Sequence, residues 1–319
     1  MSNTASHRIT LIGLGTIGMS MAALHLSRDN TIVDVFDTRP DLEEALLKTL
    51  PTFLASSSSR SESQPIEVIS LISSGRLNIH SSLETACASA TIVQEQGPEN
   101  LEFKQTIWKK VEAIAPVSAH FWTSTSGISA SAQQQLLHDK TRLLVVHPFN
   151  PPHIMPLIEI VPSPETAQER VEFAREYFSI PGSRHRPVVI QKEIPGFVGN
   201  RLAFALLREA CHLVQEDVVT AKDLDTILMA SLGPRWAGNG IFESYQQGGG
   251  DGGIRAFWDK LGGTMQEVWD SLGQVSVAEV KEKVVRQTNE AYGSLTSEET
   301  RREKEERLRE FLKVQTQSY

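Results

Sequence analysis

Cysteine is scarce in this sequence, and long apolar runs are missing. Only Cys87 and Cys211 occur among 319 residues, and neither has a partner at the spacing of a metal site. This composition excludes a disulfide scaffold and a cysteine-based zinc site, and we expect both thiols to be small buried apolar side chains. No stretch reaches the ~18 consecutive apolar residues of a transmembrane helix, so we expect no membrane span.

Positive charge is also in deficit. The 31 Lys and Arg residues stand against 39 Asp and Glu residues, which gives a net charge of −8. A surface of this sign cannot neutralise a phosphate backbone, which argues against a nucleic-acid partner. The first residues carry no secretory or mitochondrial targeting pattern, and the last three, Gln317-Ser318-Tyr319, are not a peroxisomal signal. A cytoplasmic location is therefore expected.

The first half of the chain alternates between strand-like and helix-like segments. Strands separated by helices at this spacing predict a mostly parallel sheet that is covered on both faces. The predicted strands are Arg8–Leu14, Thr31–Phe36, Leu77–Ile79, Thr91–Glu95, His120–Ser124, Leu143–Val146, Pro156–Val161 and Pro187–Gln191. The predicted helices between them include Ile17–Ser27, Leu101–Ile114 and Ala130–Leu137.

Strand signals stop after Pro195-Gly196, and the remaining sequence has the spacing of helices. Apolar residues recur at helical intervals over Phe197–Val214. Thr220, followed three residues later by Asp223, marks the N-cap of a further helix. The second part of the chain is therefore predicted to be an all-α domain.

Two loops, a charged helix and a domain boundary are also predicted from the sequence. Ser-rich Ala55–Gln64 is expected to form an exposed loop, Gly248–Gly253 a mobile loop, and Ser297–Leu312 a charged, solvated helix. The predicted fold class is α/β, with a dinucleotide-binding domain over residues 1–192 and a helical domain over residues 193–319.

A glycine pattern after the first strand predicts the nucleotide site. Gly13, Gly15 and Gly18 form a G-x-G-x-x-G motif that follows a strand and opens a helix. The first glycine permits a tight turn, the second lets the backbone approach a pyrophosphate, and the third lets the helix pack on the strand. The main-chain groups of Thr16 and Ile17 would then face the anion at the helix N-terminus.

The choice of nucleotide depends on Asp37, which ends the second strand 19 residues after Gly18. A carboxylate at this place accepts the ribose hydroxyls of NAD and repels the 2′-phosphate of NADP. Arg39 complicates the choice, because a guanidinium can hold that phosphate. The sequence favours NAD.

A second group of polar residues points to proton transfer. Glu159 lies in an otherwise apolar strand, and a buried charge there requires a partner, for which His147 is the nearest candidate. A short return between their strands would bring imidazole and carboxylate side by side, which suits a general base. Ser126 and Asn200 complete the constellation. A zinc site that includes His153 is disfavoured, because the proline-rich segment lacks metal-ligand spacing, and we predict no metal.

These residues are similar to those of the 3-hydroxyacyl-CoA dehydrogenase superfamily over nearly the whole chain. Within it, the sequence most resembles the lambda-crystallin branch, whose members are L-gulonate 3-dehydrogenases. One departure is Ser124, which stands where acyl-CoA members often have Asn. The matching segments are Gly13–Gly18, Asp37, Pro98-Glu99-Asn100 with Lys104, Ser124–Gly127, His147–Pro152, Pro156–Pro162, Gln191–Leu202 and Leu232–Trp236.

The resemblance implies a Rossmann-type NAD domain, a helical domain that dimerises, and a role for each site residue. It implies that His147 is the base that takes the hydroxyl proton and that Glu159 orients the imidazole. It assigns Ser126 and Asn200 to hydrogen bonds with the substrate oxygen. Residues implied to face the cofactor are Glu99, Lys104 and Asn150.

The substrate is expected to be a small 3-hydroxy or 3-keto acid rather than a CoA thioester. Between Pro40 and Leu77 the chain offers Lys48, Arg60 and Arg76 against five acidic residues, which is a poor platform for CoA phosphates. Arg235 is the candidate for the substrate carboxylate, with a structural role at a helix C-terminus as the alternative. A 3-hydroxyacyl-CoA or carnitine-type dehydrogenase, an enzyme recruited to a specialised biosynthetic pathway, and a non-catalytic crystallin-like protein remain the alternatives.

Overall fold

The computed structural model describes residues 7–57, 67–180, 183–294 and 297–316. The chain divides into two units, Met1–Arg201 and Leu202–Tyr319. Residues 193–201, which the sequence assigns to the second domain, therefore group with the first unit. Two main-chain N–H groups of this segment, at Val198 and Gly199, are hydrogen-bonded to the first unit.

A single mostly parallel sheet forms the first unit, as predicted. Its strands are β1 (His7–Ile12), β2 (Thr31–Phe36), β3 (Leu77–Ile79), β4 (Ile92–Glu95), β5 (His120–Thr123), β6 (Leu143–Pro148), β7 (Leu157–Pro162) and β8 (Arg186–Val189). Their order is β3-β2-β1-β4-β5-β6-β7-β8. The chain reverses direction across the sheet at β1, which pairs in parallel with both β2 and β4. Such a switch point opens a crevice at the carboxyl ends of the strands.

Helices cover both faces of this sheet. They are α1 (Thr16–Leu26), α2 (Leu42–Ser57), α3 (Val68–Ser73), α4 (Leu83–Cys87), α5 (Leu101–Ile114), α6 (Ala130–Gln133) and α7 (Gln168–Phe178). Successive side chains of a strand point to opposite faces, and on β5 Phe121 and Trp122 enter two different apolar cores. Both are fully buried, and burial of one such side chain stabilises the fold by about 1.5–3 kcal/mol.

The strand pair β6 and β7 breaks the parallel pattern. The two strands are antiparallel, and in their register His147 stands directly opposite Glu159. A short return connects them, because only residues 149–156 separate the strands. The pairing therefore brings the two polar residues of these apolar strands together.

The second unit is helical, as predicted. Its helices are α8 (Gly199–Gln215), which begins in the first unit, α9 (Ala221–Ala230), α10 (Leu232–Gly238), α11 (Ile241–Gly248), α12 (Gly253–Ser271), α13 (Val277–Tyr292) and α14 (Glu298–Thr316). The Thr220 hydroxyl accepts a hydrogen bond from the Asp223 N–H at 3.1 Å, so the predicted N-cap is confirmed. None of the described helices has the length and apolar composition that a membrane crossing requires.

Three local predictions differ from the structure. Gly248–Gly253 is not an open loop: the three-residue turn Gly250–Gly252 lies between α11 and α12. Positive φ values at Gly250 (59°) and at Gly253 (61°), the first residue of α12, allow the sharp reversal. The predicted helix Ala130–Leu137 changes to a 3-10 turn after Gln133. Cys87 is buried as expected, but Cys211 is only partly buried.

The predicted Ser-rich loop is tested only in part. Its first residues, 55–57, belong to α2 rather than to a loop. Residues 58–64 lie outside the described part of the chain.

Candidate active site

The three glycines of the fingerprint meet three different steric requirements. Gly13 has φ +91°, a left-handed conformation that favours glycine. A Cβ on Gly18 would lie 2.0 Å from the Gly13 carbonyl oxygen, so only glycine lets α1 pack this closely on the turn. A Cβ on Gly15 would meet no atom within 4 Å, and the backbone there faces open space. The loop is therefore shaped to admit a ligand at its second glycine.

The start of α1 is suited to an anion. Gly15 provides no side-chain cap, and the first turn of the helix contains no acidic residue. The N–H groups of Thr16 and Ile17 belong to the first turn, which has no intrahelical partners. These free donors and the helix dipole together favour a phosphate group. A dinucleotide pyrophosphate therefore fits this cradle.

Asp37, directly after β2, holds the glycine loop in place. One carboxylate oxygen accepts from the Leu14 N–H at 2.6 Å, and the other accepts from the Arg39 N–H at 2.9 Å. The Arg39 guanidinium turns to Asp41, to which it donates two hydrogen bonds of 2.8 and 2.9 Å. The cation that could recruit a 2′-phosphate is thus already paired, which supports the choice of NAD over NADP.

His147 and Glu159 form a buried pair. The imidazole Nδ1 lies 2.9 Å from Glu159 Oε2, and the two residues are 4% and 1% exposed. Burial raises the pKa of Glu159, but the hydrogen bond from His147 and two main-chain N–H bonds outweigh it and lower the pKa below its ordinary value. The carboxylate is therefore charged at neutral pH and acts only as an acceptor.

The second oxygen of Glu159 anchors the segment that leads into α8. Oε1 accepts from Val198 N–H at 3.0 Å and from Gly199 N–H at 2.9 Å. The rings of Phe149 and Phe197 flank the imidazole of His147 at centroid distances of 5.5 and 5.3 Å. A shell of aromatic rings and main-chain donors thus fixes both members of the pair.

Ser126 and Asn200 are brought together, but through the main chain of the serine. The Asn200 side-chain amide donates to the Ser126 carbonyl oxygen at 3.2 Å. Glu99 binds the same loop, because its Oε1 accepts from the N–H groups of Ser126 and Gly127 at 3.0 Å each and from the Thr125 hydroxyl. The Ser126 side chain is exposed. The loop after β5 is therefore held from two sides.

Lys104 is a buried member of the same network rather than an exposed cation. Its ammonium donates to both oxygens of Glu95 at 2.9 Å and lies 3.5 Å from Glu99 Oε2. Its side chain is 1% exposed. Glu95 also accepts from the Thr123 hydroxyl at 2.9 Å. The structure shows Lys104 as a clamp between two carboxylates, and a direct contact with the cofactor stays a prediction.

Two remaining predicted residues are exposed. Asn150 follows β6 by two residues, on the segment that leads away from His147. Arg235 lies in the last turn of α10, and among the described residues no side chain is bonded to its guanidinium. The predicted role of Arg235 in substrate binding stays a prediction.

Sequence reasoning missed Glu95 and Gly199. Glu95 ends an apolar strand, so the argument that singled out Glu159 applies to it as well. Gly199 carries no comparable signal in the sequence, because the need for glycine there comes from a distant residue. A Cβ at this position would lie 2.3 Å from the Phe149 ring.

A dinucleotide crevice beside a buried histidine–carboxylate pair is the arrangement of a nucleotide-dependent dehydrogenase. Residues 8–194 match the model of the 3-hydroxyacyl-CoA dehydrogenase NAD-binding domain, and residues 196–289 match the model of the 3-hydroxyacyl-CoA dehydrogenase C-terminal domain. The chain belongs to this family. It is an NAD-dependent dehydrogenase.

Curated relatives and solved structures agree with this family. The chain is 32% identical to an L-carnitine dehydrogenase of Streptomyces coelicolor, over 83% of this chain and 80% of the relative. It is 36% identical to a 3-hydroxyacyl-CoA dehydrogenase of Gibberella moniliformis, over 76% and 73% respectively. A solved structure of 5-formyl-3-hydroxy-2-methylpyridine 4-carboxylic acid 5-dehydrogenase, an NAD+-dependent dismutase, has a TM-score of 0.77 at 26% identity and 98% coverage of both chains. None of these three is a lambda-crystallin, and closeness to that branch stays a prediction.

Proposed function

We propose that this protein interconverts a 3-hydroxy acid and its 3-keto form with NAD, with His147 as general base. The observation that carries the proposal is the 2.9 Å contact between His147 Nδ1 and Glu159 Oε2 at the carboxyl edge of the sheet. A general base needs a fixed tautomer and a partner that stabilises its protonated form. Glu159 supplies both.

The chemistry of the pair follows from its donors and acceptors. Because the ionised carboxylate can only accept, the imidazole proton resides on Nδ1, and Nε2 keeps its lone pair. Nε2 takes the proton of the substrate hydroxyl, and the resulting imidazolium is stabilised by Glu159. When bound at the glycine loop, NAD would supply the hydride acceptor for the same carbon. In the reverse direction His147 returns the proton to the keto oxygen.

The loop after β5 is proposed to hold the substrate oxygen. Asn200 and Glu99 fix the main chain of Ser126 from two sides. A hydroxyl on a fixed backbone is a preorganised donor, and such donors lower the barrier by stabilising charge on the reacting oxygen. Ser126 and Asn200 are therefore proposed as residues that bind the substrate oxygen.

A free hydroxy acid is the favoured substrate form. Of the cations between Pro40 and Leu77, Arg76 is engaged by the fold, since its guanidinium donates to the carbonyls of Leu26 and Arg28 at 2.8 and 2.5 Å. Lys48 lines a shallow depression together with Asp41, Glu43 and Glu44. An acidic surface of this kind repels the phosphates of CoA.

A 3-hydroxyacyl-CoA dehydrogenase is the second candidate. It is favoured by the 36% identity to the Gibberella moniliformis relative. Carnitine, the substrate named for the Streptomyces coelicolor relative, is itself a free 3-hydroxy acid, which favours the first candidate. The resemblance to a dimerising family also leads us to propose a homodimer, which sedimentation at twice the 35.3 kDa chain mass would support and a monomer mass would refute.

Steady-state oxidation of NADH separates the candidates. The assay compares free 3-keto acids, including dehydrocarnitine and acetoacetate, with acetoacetyl-CoA. We expect a higher kcat/KM for at least one free acid than for the thioester. Preference for the thioester would select the second candidate, and oxidation with neither class would refute the proposed function.

A further inference from the structure

A chain of hydrogen bonds crosses the core of the first unit and ends at Ser124. The Tyr177 hydroxyl lies 2.7 Å from His25 Nδ1, His25 Nε2 lies 2.9 Å from Gln94 Oε1, and Gln94 Nε2 donates to Ser124 Oγ at 2.9 Å. His25 and Gln94 are fully buried, and Tyr177 is 4% exposed. Neither the glycine loop nor the histidine–carboxylate pair uses these groups.

Gln94 sets the direction of the chain. Its side-chain carbonyl oxygen can only accept, so the hydrogen bond with His25 requires a proton on Nε2. A neutral imidazole then has no proton on Nδ1, which therefore accepts a hydrogen bond from the Tyr177 hydroxyl. Burial lowers the pKa of His25 to about 3, which keeps the imidazole neutral, with its single proton on Nε2.

The remaining links follow from this direction. His25 Nε2 donates to the Gln94 carbonyl oxygen, and the Gln94 amide then donates to Ser124 Oγ. The serine oxygen is thereby an acceptor within the protein. Its own proton is left to be donated elsewhere, and among the described residues no acceptor is bonded to it.

Ser124 stands where such a donor can reach a ligand. It directly follows β5, is partly exposed, and its N–H donates to the Glu95 carbonyl at 2.9 Å, at the end of β4. Since β5 lies between β4 and β6, Ser124 lies between the dinucleotide crevice and the strand that carries His147. In folds of this type the two halves of the dinucleotide lie on either side of the switch point, with the pyrophosphate at the first helix. Asp37 marks the adenosine side, so Ser124 is on the nicotinamide side.

We propose that the Tyr177–His25–Gln94–Ser124 chain presents the Ser124 hydroxyl as a fixed donor to the carboxamide oxygen of the nicotinamide. His25 and Gln94 are positioning residues, because they act through Ser124. The inference depends on the proposed function for one point only, namely which side of the crevice the nicotinamide ring occupies. Its test measures binding, so it remains decisive if no 3-keto acid is reduced.

Two ligands that differ in the ring provide the test. NADH carries the nicotinamide, whereas ADP-ribose has the same adenosine, pyrophosphate and terminal ribose without it. In Ser124→Ala the hydroxyl is lost, and in Gln94→Glu the carboxylate accepts the serine proton and turns it away from the ligand. Isothermal titration is expected to show about 3- to 10-fold weaker NADH binding in each variant, the effect of one hydrogen bond, and unchanged ADP-ribose binding.

A double variant shows whether both substitutions act through the same proton. In the Ser124→Ala background, Gln94→Glu is expected to weaken NADH binding no further. The matched control is Gln135→Glu, the same charge change at an exposed site, with no expected effect on either ligand. The inference would be overturned if NADH and ADP-ribose binding weakened equally, or if the losses of NADH affinity in the double variant were additive. Unchanged NADH binding in Ser124→Ala would also overturn it. Ser124→Ala removes one oxygen at a partly exposed site, so it keeps the test decisive if Gln94→Glu does not fold.

Discussion

Gly199 lies so close to Phe149 that a Cβ on it would be 2.3 Å from the end of the phenyl ring. The same ring contacts the imidazole of His147 at a centroid distance of 5.5 Å, and the Gly199 N–H donates to Glu159. One glycine therefore links the segment leading into α8 to both members of the buried His147–Glu159 pair. The absence of a side chain at this position is part of the geometry of the site.

Gly199→Ala is expected to disturb the site and the fold together. The added methyl group must displace the Phe149 ring toward His147 or move the N–H away from Glu159. Overpacking of this kind costs about 1–3 kcal/mol, and we expect at least ~10-fold lower kcat, the effect of a slightly misplaced catalytic group. Thermal melting and NADH oxidation measure the two effects. Gly262→Ala, at a helical glycine with no atom within 4 Å of a Cβ, is the control, and equal behaviour of the two variants would contradict this interpretation.

Glu159 makes stability depend on pH in an acidic window. The pKa of Glu159 in the folded protein lies below the ordinary value of 4.5. The ionised carboxylate therefore stabilises the fold in full at pH values above 4.5. This contribution is lost as the pH falls through the lowered folded pKa. Urea denaturation should therefore show Glu159→Gln to be less stable than the wild type at pH 7, with a smaller difference at pH 3.5. Exposed Glu176→Gln serves as control, and a difference that is constant with pH would refute the role of this ionisation.

The pairing of Arg39 with Asp41 predicts a change of nucleotide preference. Asp41→Ala removes the carboxylate that holds the guanidinium at 2.8 and 2.9 Å. The freed Arg39 can then bind a 2′-phosphate, so NADP affinity should rise by about 3- to 10-fold, the effect of one charged hydrogen bond near solvent, while NAD affinity changes little. Titration with both nucleotides checks this, and Asp41→Ala/Arg39→Ala should abolish the gain. An equal change for NAD and NADP would count against the pairing.

Arg235 tests the assignment of the substrate carboxylate. If its exposed guanidinium binds that group, Arg235→Ala should raise KM for a free 3-keto acid by at least ~10-fold, since charged hydrogen bonds contribute about 1.5–3 kcal/mol. The Kd of NADH should stay the same. Arg255→Ala, at an exposed arginine of α12, provides a charge-matched control. Equal losses in substrate and NADH affinity would instead support a structural role for Arg235.

Much of the fold could be predicted from the sequence because its signals are local. Apolar runs of the length of a strand, the spaced glycines and the Thr220 cap each fix a segment without reference to distant residues. The isolated Glu159 in an apolar strand also predicted its partner, since a buried carboxylate needs one. These are the features that the structure reproduces most closely.

The features that were missed depend on contacts between distant segments. Lys104 looks like a helix cation in sequence, and only the packing of α5 against β4 reveals that Glu95 neutralises it. The need for glycine at position 199 follows from the Phe149 ring, fifty residues earlier. The glycine run before α12 indicated mobility, whereas two positive-φ residues make it a tight turn. Composition cannot distinguish these two uses of glycine.

Substitution of the proposed base tests the central claim most directly. His147→Gln keeps a side chain that can donate to Glu159 but cannot take up a proton at neutral pH. We expect NADH to bind with an unchanged Kd and kcat to fall at least ~100-fold, the low end for general-base catalysis. Turnover close to that of the wild type, with NADH binding intact, would contradict the assignment of His147 as the base.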